Sequence, residues 1–450
     1  MSHASVLIAA ALGGIVLLLF FVMKLRLHAF VALLLVSLLV GVATGMPLTD
    51  IVETVKKGMG GTLGFVATVV GLGAMFGKML EVSGGVDRLA NTLLKRFGEG
   101  RSQWAMAIAG FMIAIPVFLD VGFIILVPLI YALGKRTGRS LLHYGIPLLA
   151  GLAVTHSFMP PTPGPIAVAN LINADLGYVI LFGAICGLPA MILAGPVFGT
   201  YIGKRIHATV PDYMQQEAGE VRENYDDLPG FRMIASIIML PLVLILANTV
   251  SGVMLDESSM VYQVLGFFGS PIVALLITTL LAFTLLGTKR GLSREEVMGV
   301  ATKSLEPAGI IILVTGAGGV FKQTLIDSGV GDVIGHYMAD SSLPPVLLAF
   351  IIATGVRVIQ GSATVAMITA AGLMAPVITQ LDLSGPILGL IVIAIASGAT
   401  VLSHVNDSGF WLVNRYFGLT EAQTLKSWTV METIIGVVGI IMALILTLFI

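Results

Sequence analysis

The chain has 450 residues, 57% of them hydrophobic and only 11% charged, with a mean hydropathy of +1.00. A soluble domain carries roughly 25% charged residues, so the composition excludes an ordinary soluble globular protein and specifies an integral membrane protein. The 24 basic residues nearly balance the 25 acidic ones, which leaves no electrostatic footprint for nucleic acid or an acidic partner.

Apolar segments fall first at about 5–23, 28–46, 58–82, 103–134, 141–159 and 177–203. The opening stretch, SVLIAAALGGIVLLLFFVM, lacks a basic start, and Lys24 and Arg26 follow it. It therefore reads as a retained span and not as a signal peptide. The longest polar stretch, 204–232, comes next, and a second series runs at about 233–250, 259–286, 304–326, 343–378, 386–405 and 428–450. Strands of an outer-membrane barrel alternate over about ten residues. These uninterrupted runs instead predict an all-α polytopic membrane protein.

The two series correspond in order. In each, the fourth member is too long for one span and the fifth runs into polar, helix-breaking chain. GLGAMFGKMLEVSGGVD (71–87) and GAGGVFKQTLIDSGVGD (316–332) share three glycines, a phenylalanine, a leucine, a serine and an aspartate. Internal duplication is the expectation. The first repeat is 1–203, with scaffold helices at 5–46 and transport elements at 58–203. Residues 204–232 form a cytoplasmic linker. The second repeat is 233–450, with scaffold helices at 233–286 and transport elements at 304–450.

Basic residues set the orientation. Lys24 and Arg26 put the first loop inside, so the N-terminus lies outside. Arg88, Lys95, Arg96 and Arg101 place the loop 83–102 inside, and Lys135, Arg136 and Arg139 follow 103–134 on the same side. Segment 103–134 thus enters and leaves by one face. A span needs roughly 20 residues, so it predicts a re-entrant helical hairpin with its tip near PVFLD (116–120). Lys204 and Arg205 end the first half inside. The second half starts there, and segment 343–378 becomes a hairpin entering from outside, with its tip near RVIQGSAT (357–364). The halves read as inverted-topology repeats, with the C-terminus outside.

Residues 155–170, THSFMPPTPGPIAVAN, carry four prolines within six residues, and SHVNDSGFW (403–411) interrupts the corresponding apolar run. Irregular backbone at membrane depth is tolerated only where protein or a water-filled cavity surrounds it. Inverted-repeat transporters bind substrate between such broken helices. Four clusters are expected to converge on a substrate: Asp120 at the first tip; Thr155, His156, Ser157, Thr162 and Gly164 at the first break; Arg357, Gly361, Ser362 and Thr364 at the second tip; and Ser403, His404, Asn406, Asp407 and Ser408 at the second break. A charge near mid-bilayer costs about 2.5–3.5 kcal/mol on insertion scales. Asp120, His156, His404 and Asp407 are the candidate proton carriers, and the Arg357 guanidinium suits a carboxylate.

Each candidate has a structural alternative. Asp120 can cap the second half of its hairpin, and Arg357 can pair with Asp120 or Asp407. His156 and His404 can serve packing and hydrogen bonding. Ser362, Thr364, Asn406 and Ser408 can repair broken-helix backbone. Lys78, Glu81, Lys322 and Glu432 lie near span ends, where snorkelling is expected. Cys186 reads as packing, and one cysteine permits no disulfide or thiolate metal site within the chain. GAMFGKM (73–79) is one residue short of a phosphate-binding loop, with Met79 where Ser or Thr belongs. No HExxH motif occurs. No metal or cofactor is expected.

GGTLGFVATVVGLGAMFGKMLEVSGG (60–85), THSFMPPTPGPIAVAN, GSATVAMITAAG (361–372) and SHVNDSGFWLVNRYFGLT (403–420) resemble the gluconate permease family of the ion transporter superfamily, over essentially the whole chain. The resemblance implies a proton symporter for gluconate or a related sugar acid in the bacterial inner membrane, where the termini that the basic residues put outside are periplasmic. It also implies a homodimer with a scaffold and a moving, elevator-like transport domain. Members often have a histidine where this chain has Thr162 and a glutamate where it has Asp120. A D-serine or other small amino-acid symporter of the same fold is the alternative within the class. An intramembrane enzyme is the alternative outside it, and lacks a recognisable nucleophile or metal motif.

Overall fold

The computed structural model describes residues 3–212, 227–256, 258–330, 333 and 343–450. Residues 213–226 of the expected linker lie outside them. Helix is the only regular structure among the described residues. That follows from a lipid solvent, in which a segment must satisfy its own backbone groups.

The first half contains α1 (His3–Met23), α2 (Ala29–Ala43), α3 (Leu48–Val82), α4 (Gly85–Phe97), α5 (Ser102–Ile113), α6 (Leu119–Thr137), α7 (Leu142–Phe158), α8 (Pro163–Leu171) and α9 (Leu176–Arg205). The second contains α10 (Phe231–Met254), α11 (Met260–Gly269), α12 (Pro271–Arg290), α13 (Arg294–Asp327), α14 (Pro345–Gln360), α15 (Ala363–Gln380), α16 (Pro386–Gly398), α17 (Ser408–Tyr416) and α18 (Glu421–Phe449). Seven described helices are long and apolar enough to cross a membrane: α3, α9, α10, α12, α13, α15 and α18. The arms α5 and α14 and the half-helix α16 are shorter apolar helices.

Four elements differ from the sequence expectation. Helices α3 and α13 begin well before their apolar stretches, at Leu48 and Arg294, because a polar first turn does not stop a helix. A capping box between Ser293 and Glu296 starts α13. Residues 85–97, expected as loop, form α4. Val86, Leu89, Ala90 and Leu93 are buried at helical spacing, while Arg88 donates to the carbonyls of Leu228 and Pro229. Segment 259–286 is divided at Ser270, where Pro271 opens α12.

Between apolar helices in lipid, association rests on close packing at small residues. The most extensive described interface joins α3 to α13. A Cβ on Gly58 would lie 2.6 Å from the Val320 Cα, so the two backbones meet there. The pairing α5–α7 in the first half recurs as α14–α16 in the second. Helix α15 packs on α8 and α13, which ties the second hairpin to the first break. Large apolar side chains such as Val16, Val253, Met254, Phe267 and Leu280 remain exposed at the periphery, as a lipid-facing surface requires.

Candidate functional site

The first tip is the turn 114–118 between α5 and α6. Phe118 occupies the cap position without a side-chain bond, and Asp120 sits in the first turn. Asp120 is therefore not a cap. Its exposed carboxylate lies where the helix dipole favours an anion and within electrostatic reach of His156. The His156 ring meets the Phe118 ring edge-on at 6.4 Å, and its Nδ1 is buried without a hydrogen-bond partner.

The proline run answers as a break. Helix α7 ends at Phe158 and α8 restarts at Pro163, with a cis bond between Pro160 and Pro161. The Thr162 hydroxyl donates to the Met159 carbonyl, and Thr155 Oγ1 donates to the Phe111 carbonyl at 2.9 Å. Both hydroxyls thus repair or brace backbone. Ser157 is buried beside them. A Cβ on Gly164 would lie 2.9 Å from Met367 Sδ, so α15 packs directly on this break. Between α3, the first tip and the break lies a cavity of about 20 Å³, lined by Gly73, Pro116, Phe118, Pro161 and Thr162 among others. It has room for about one water.

The second tip and break are more polar and lock together. Gly361, at φ +89°, ends α14, and Ser362 opens α15 by accepting from the Val365 amide at 3.4 Å. The Asn406 carbonyl lies where a Cβ on Gly361 would be. His404 Nε2 donates to the Val358 carbonyl at 2.9 Å, since a carbonyl can only accept, and Asn406 Nδ2 donates to it at 3.0 Å. Asp407 caps α17 through the Gly409 amide at 3.1 Å. Its other oxygen accepts from Arg357 Nη2 at 2.6 Å and from the Ser403 hydroxyl. Thr364 and Ser408 stand in the first turns of α15 and α17.

Arg357 is the chemical centre of this cluster. It is 2% exposed, and its Nε and Nη1 are buried without a partner. A buried donor left unmade costs about 1–3 kcal/mol, more when charged. Its ion pair is with Asp407; no bond joins it to Asp120 among the described residues. The structure therefore gathers the sequence-predicted residues into two groups, tip with break in each half, joined through α8 and α15.

Glu432 was expected to snorkel, and it does not. It is 5% exposed and within electrostatic reach of Arg357 and Asp407. Lys78 pairs with Glu81 one turn along α3, and Lys322 is half-buried. Trp428 and Thr429 are also additions. A π turn at Leu425–Thr429 carries them, and they donate to the Ser403 hydroxyl (2.7 Å) and the Ser403 carbonyl. Such turns often accompany functional sites. A lone acid in VMETIIGVVG was the available signal for Glu432.

The described residues thus form an all-helical protein with two helix breaks, each facing the turn between two further helices. Two solved structures share the fold. The Alcanivorax borkumensis YdaH transporter has a TM-score of 0.66 at 17% identity, covering 94% of this chain and 99% of that one. Neisseria gonorrhoeae MtrF, of a class of antimetabolite efflux pumps, has a TM-score of 0.71 at 15% identity, covering 94% and 96%. The chain belongs to the GntP family of permeases, which matches residues 5–449. It is 45% identical over 439 residues to the low-affinity gluconate transporter of Escherichia coli K12, covering 98% of each chain. It is 40% identical to the gluconate permease of Pseudomonas aeruginosa, covering 100% of this chain and 99% of that one. The E. coli high-affinity gluconate transporter is 39% identical, covering 97% and 98%. The chain is thus a membrane permease and not an enzyme.

Proposed function

We propose that this permease imports gluconate or a closely related sugar acid by proton symport. The observation that carries the reading is Arg357, a buried cation at a hairpin tip whose Nε and Nη1 have no partner. The relatives named as gluconate transporters support gluconate as the anion. A guanidinium offers planar, directed donors to a carboxylate, and the hydroxyls and amides around it suit a polyol.

Coupling follows from the ion pair. With Asp407 ionised, Nη2 is held at 2.6 Å and the incoming carboxylate meets a neutralised cation and a like charge. A proton on Asp407 removes both obstacles. Proton and anion then favour each other's binding, which is the requirement for symport. Asp120 with His156 forms a second protonatable pair, and Glu432 biases the Arg357–Asp407 pair from the side. His404 is committed to the tip backbone and acts by holding it.

The cavity of about 20 Å³ at the first tip has room for about one water, so a sugar acid reaching this break requires the first tip to leave it. We propose with it a moving transport unit (58–203 and 304–450) against scaffold helices, in an elevator-like homodimer with inverted repeats, re-entrant hairpins and periplasmic termini in the bacterial inner membrane. The test is labelled gluconate uptake into proteoliposomes with and without an inward proton gradient. Accumulation above the outside level only with the gradient is expected. Uptake that never exceeds equilibration, or that follows sodium after the proton gradient is collapsed, overturns the reading.

A further inference from the structure

A second polar cleft lies away from both breaks, where the α6–α7 turn meets the end of α9. Its volume is about 510 Å³, and Gln103, Arg139, Ser140, His143, Thr200, Gly203, Lys204 and His207 line it. Small-molecule sites run to about 300–1,000 Å³. No carboxylate is among its lining residues. Two fixed cations and two imidazoles face the same space.

The cleft is held in shape by backbone. Ser140 Oγ donates to the Ile206 carbonyl at 2.7 Å and accepts from the Ala208 amide at 3.0 Å, while the Leu141 amide donates to the Ala208 carbonyl at 2.9 Å. Arg139 and His207 are neighbours of these pinned residues, so their backbone positions are fixed while their side chains are exposed. Gly203 lets α9 approach α7: a Cβ there would lie 3.1 Å from the His143 Cα. Arg139 Nη1 donates to His143 Nε2 at 3.0 Å, because a guanidinium has no acceptor. Lys204 lies within electrostatic reach of the same ring. The Gln103 Oε1 is buried with no partner; as an acceptor it suits a hydroxyl of a bound ester and not the phosphate oxygens themselves.

Lysine and arginine at the inner membrane face serve orientation, but that role asks for charge alone. It does not ask for a pinned cleft or a buried histidine. A monocarboxylate would also leave most of this charge unanswered, whereas a phosphate carries about −1.5 to −2 near neutral pH and three acceptor oxygens. We propose that this cleft binds a phosphate-bearing anion between Arg139, Lys204, His143 and His207. A soluble phosphate monoester offers that charge and all three oxygens; a phosphodiester lipid headgroup offers one negative charge and two free oxygens, and is the competing source that the test separates. Only the assignment of the cleft to the cytoplasmic face rests on the orientation proposed above; the binding does not depend on the transported substrate.

The test uses the full chain in nanodiscs of phosphatidylcholine alone and of phosphatidylcholine with phosphatidylglycerol. Calorimetry reads binding of inorganic phosphate and of glycerol 3-phosphate, and native mass spectrometry reads retained phosphatidylglycerol. Arg139→Gln and Lys204→Gln, each checked for an unchanged Tm, should weaken the bound probe about tenfold or more, the weight of one charged hydrogen bond. Saturable phosphate or glycerol 3-phosphate binding that falls in the variants supports a soluble anion. Phosphatidylglycerol retention that falls without such binding supports a headgroup. No retained probe in either disc, or affinities unchanged in both folded variants, overturns the proposal. So does a variant effect on gluconate binding with none on the phosphate probes.

Discussion

Asp407→Asn separates the proton from the anion. The substitution removes charge with almost no change of shape. Asparagine caps a helix about as well as aspartate, so the bond from the Gly409 amide should survive. Arg357, 2% exposed, keeps a neutral acceptor where it had a carboxylate at 2.6 Å, and Glu432 remains as a nearby acid. Hydrogen bonds to charged groups contribute about 1.5–3 kcal/mol. An anion that no longer competes with Asp407 should therefore bind up to about 10- to 150-fold tighter, with the lower end expected because asparagine still accepts. The variant resembles the protonated state permanently, so its affinity should stop depending on pH where that of the wild type does. Equilibrium binding of labelled gluconate across pH measures the first effect. Proteoliposome assays measure the second: exchange of internal for external gluconate should persist, and gradient-driven accumulation should vanish. Near-normal uphill accumulation by Asp407→Asn, or an affinity with the wild-type pH dependence, would refute the reasoning.

Arg357→Gln should chiefly weaken gluconate binding, by about 3–5 kcal/mol if the lost buried charge pair sets the scale, and Arg357→Lys should restore little because the planar fork is absent; binding isotherms for the two variants decide this. Gly361→Ala should abolish transport and lower stability by at least about 1–2 kcal/mol, since it places a Cβ at φ +89° against the Asn406 carbonyl; thermal unfolding and uptake together check it. Cysteines replacing Phe118 and Ser362 should react with water-borne thiol reagents and be protected by gluconate, against a silent background because Cys186 is buried. Inert thiols at both tips would mean that the hairpins face lipid.

Much of the site was legible because the features that break helices are local. Pro116, the proline run at 160–165 and Gly361 each disturb the chain within a few residues of where the structure ends a helix. The pairing of tip with break was not legible. The bonds from His404 and Asn406 to Val358 join residues more than forty positions apart, and no periodicity encodes them. Glu432 shows the same limit. Hydropathy sees an acid near the start of an apolar run, but its burial comes with the packing of α18 on α9 and α16, which are distant in sequence. Helix α4 escaped notice for another reason. Val86, Leu89, Ala90 and Leu93 lie buried on one face of a segment whose composition is polar, so a reading of hydropathy alone sees a loop, and only the helical spacing reveals a partner surface.

The coupling of proton to anion is the central claim, and an internal pH dye tests it most directly. Proteoliposomes are prepared without a pH gradient, in sodium-free buffer, with the membrane voltage clamped. Gluconate is then added outside. The account predicts that the lumen acidifies as gluconate enters, that a protonophore abolishes the signal, and that Arg357→Gln and Asp407→Asn give none. Gluconate entry without acidification, or acidification unchanged in Asp407→Asn, would contradict it.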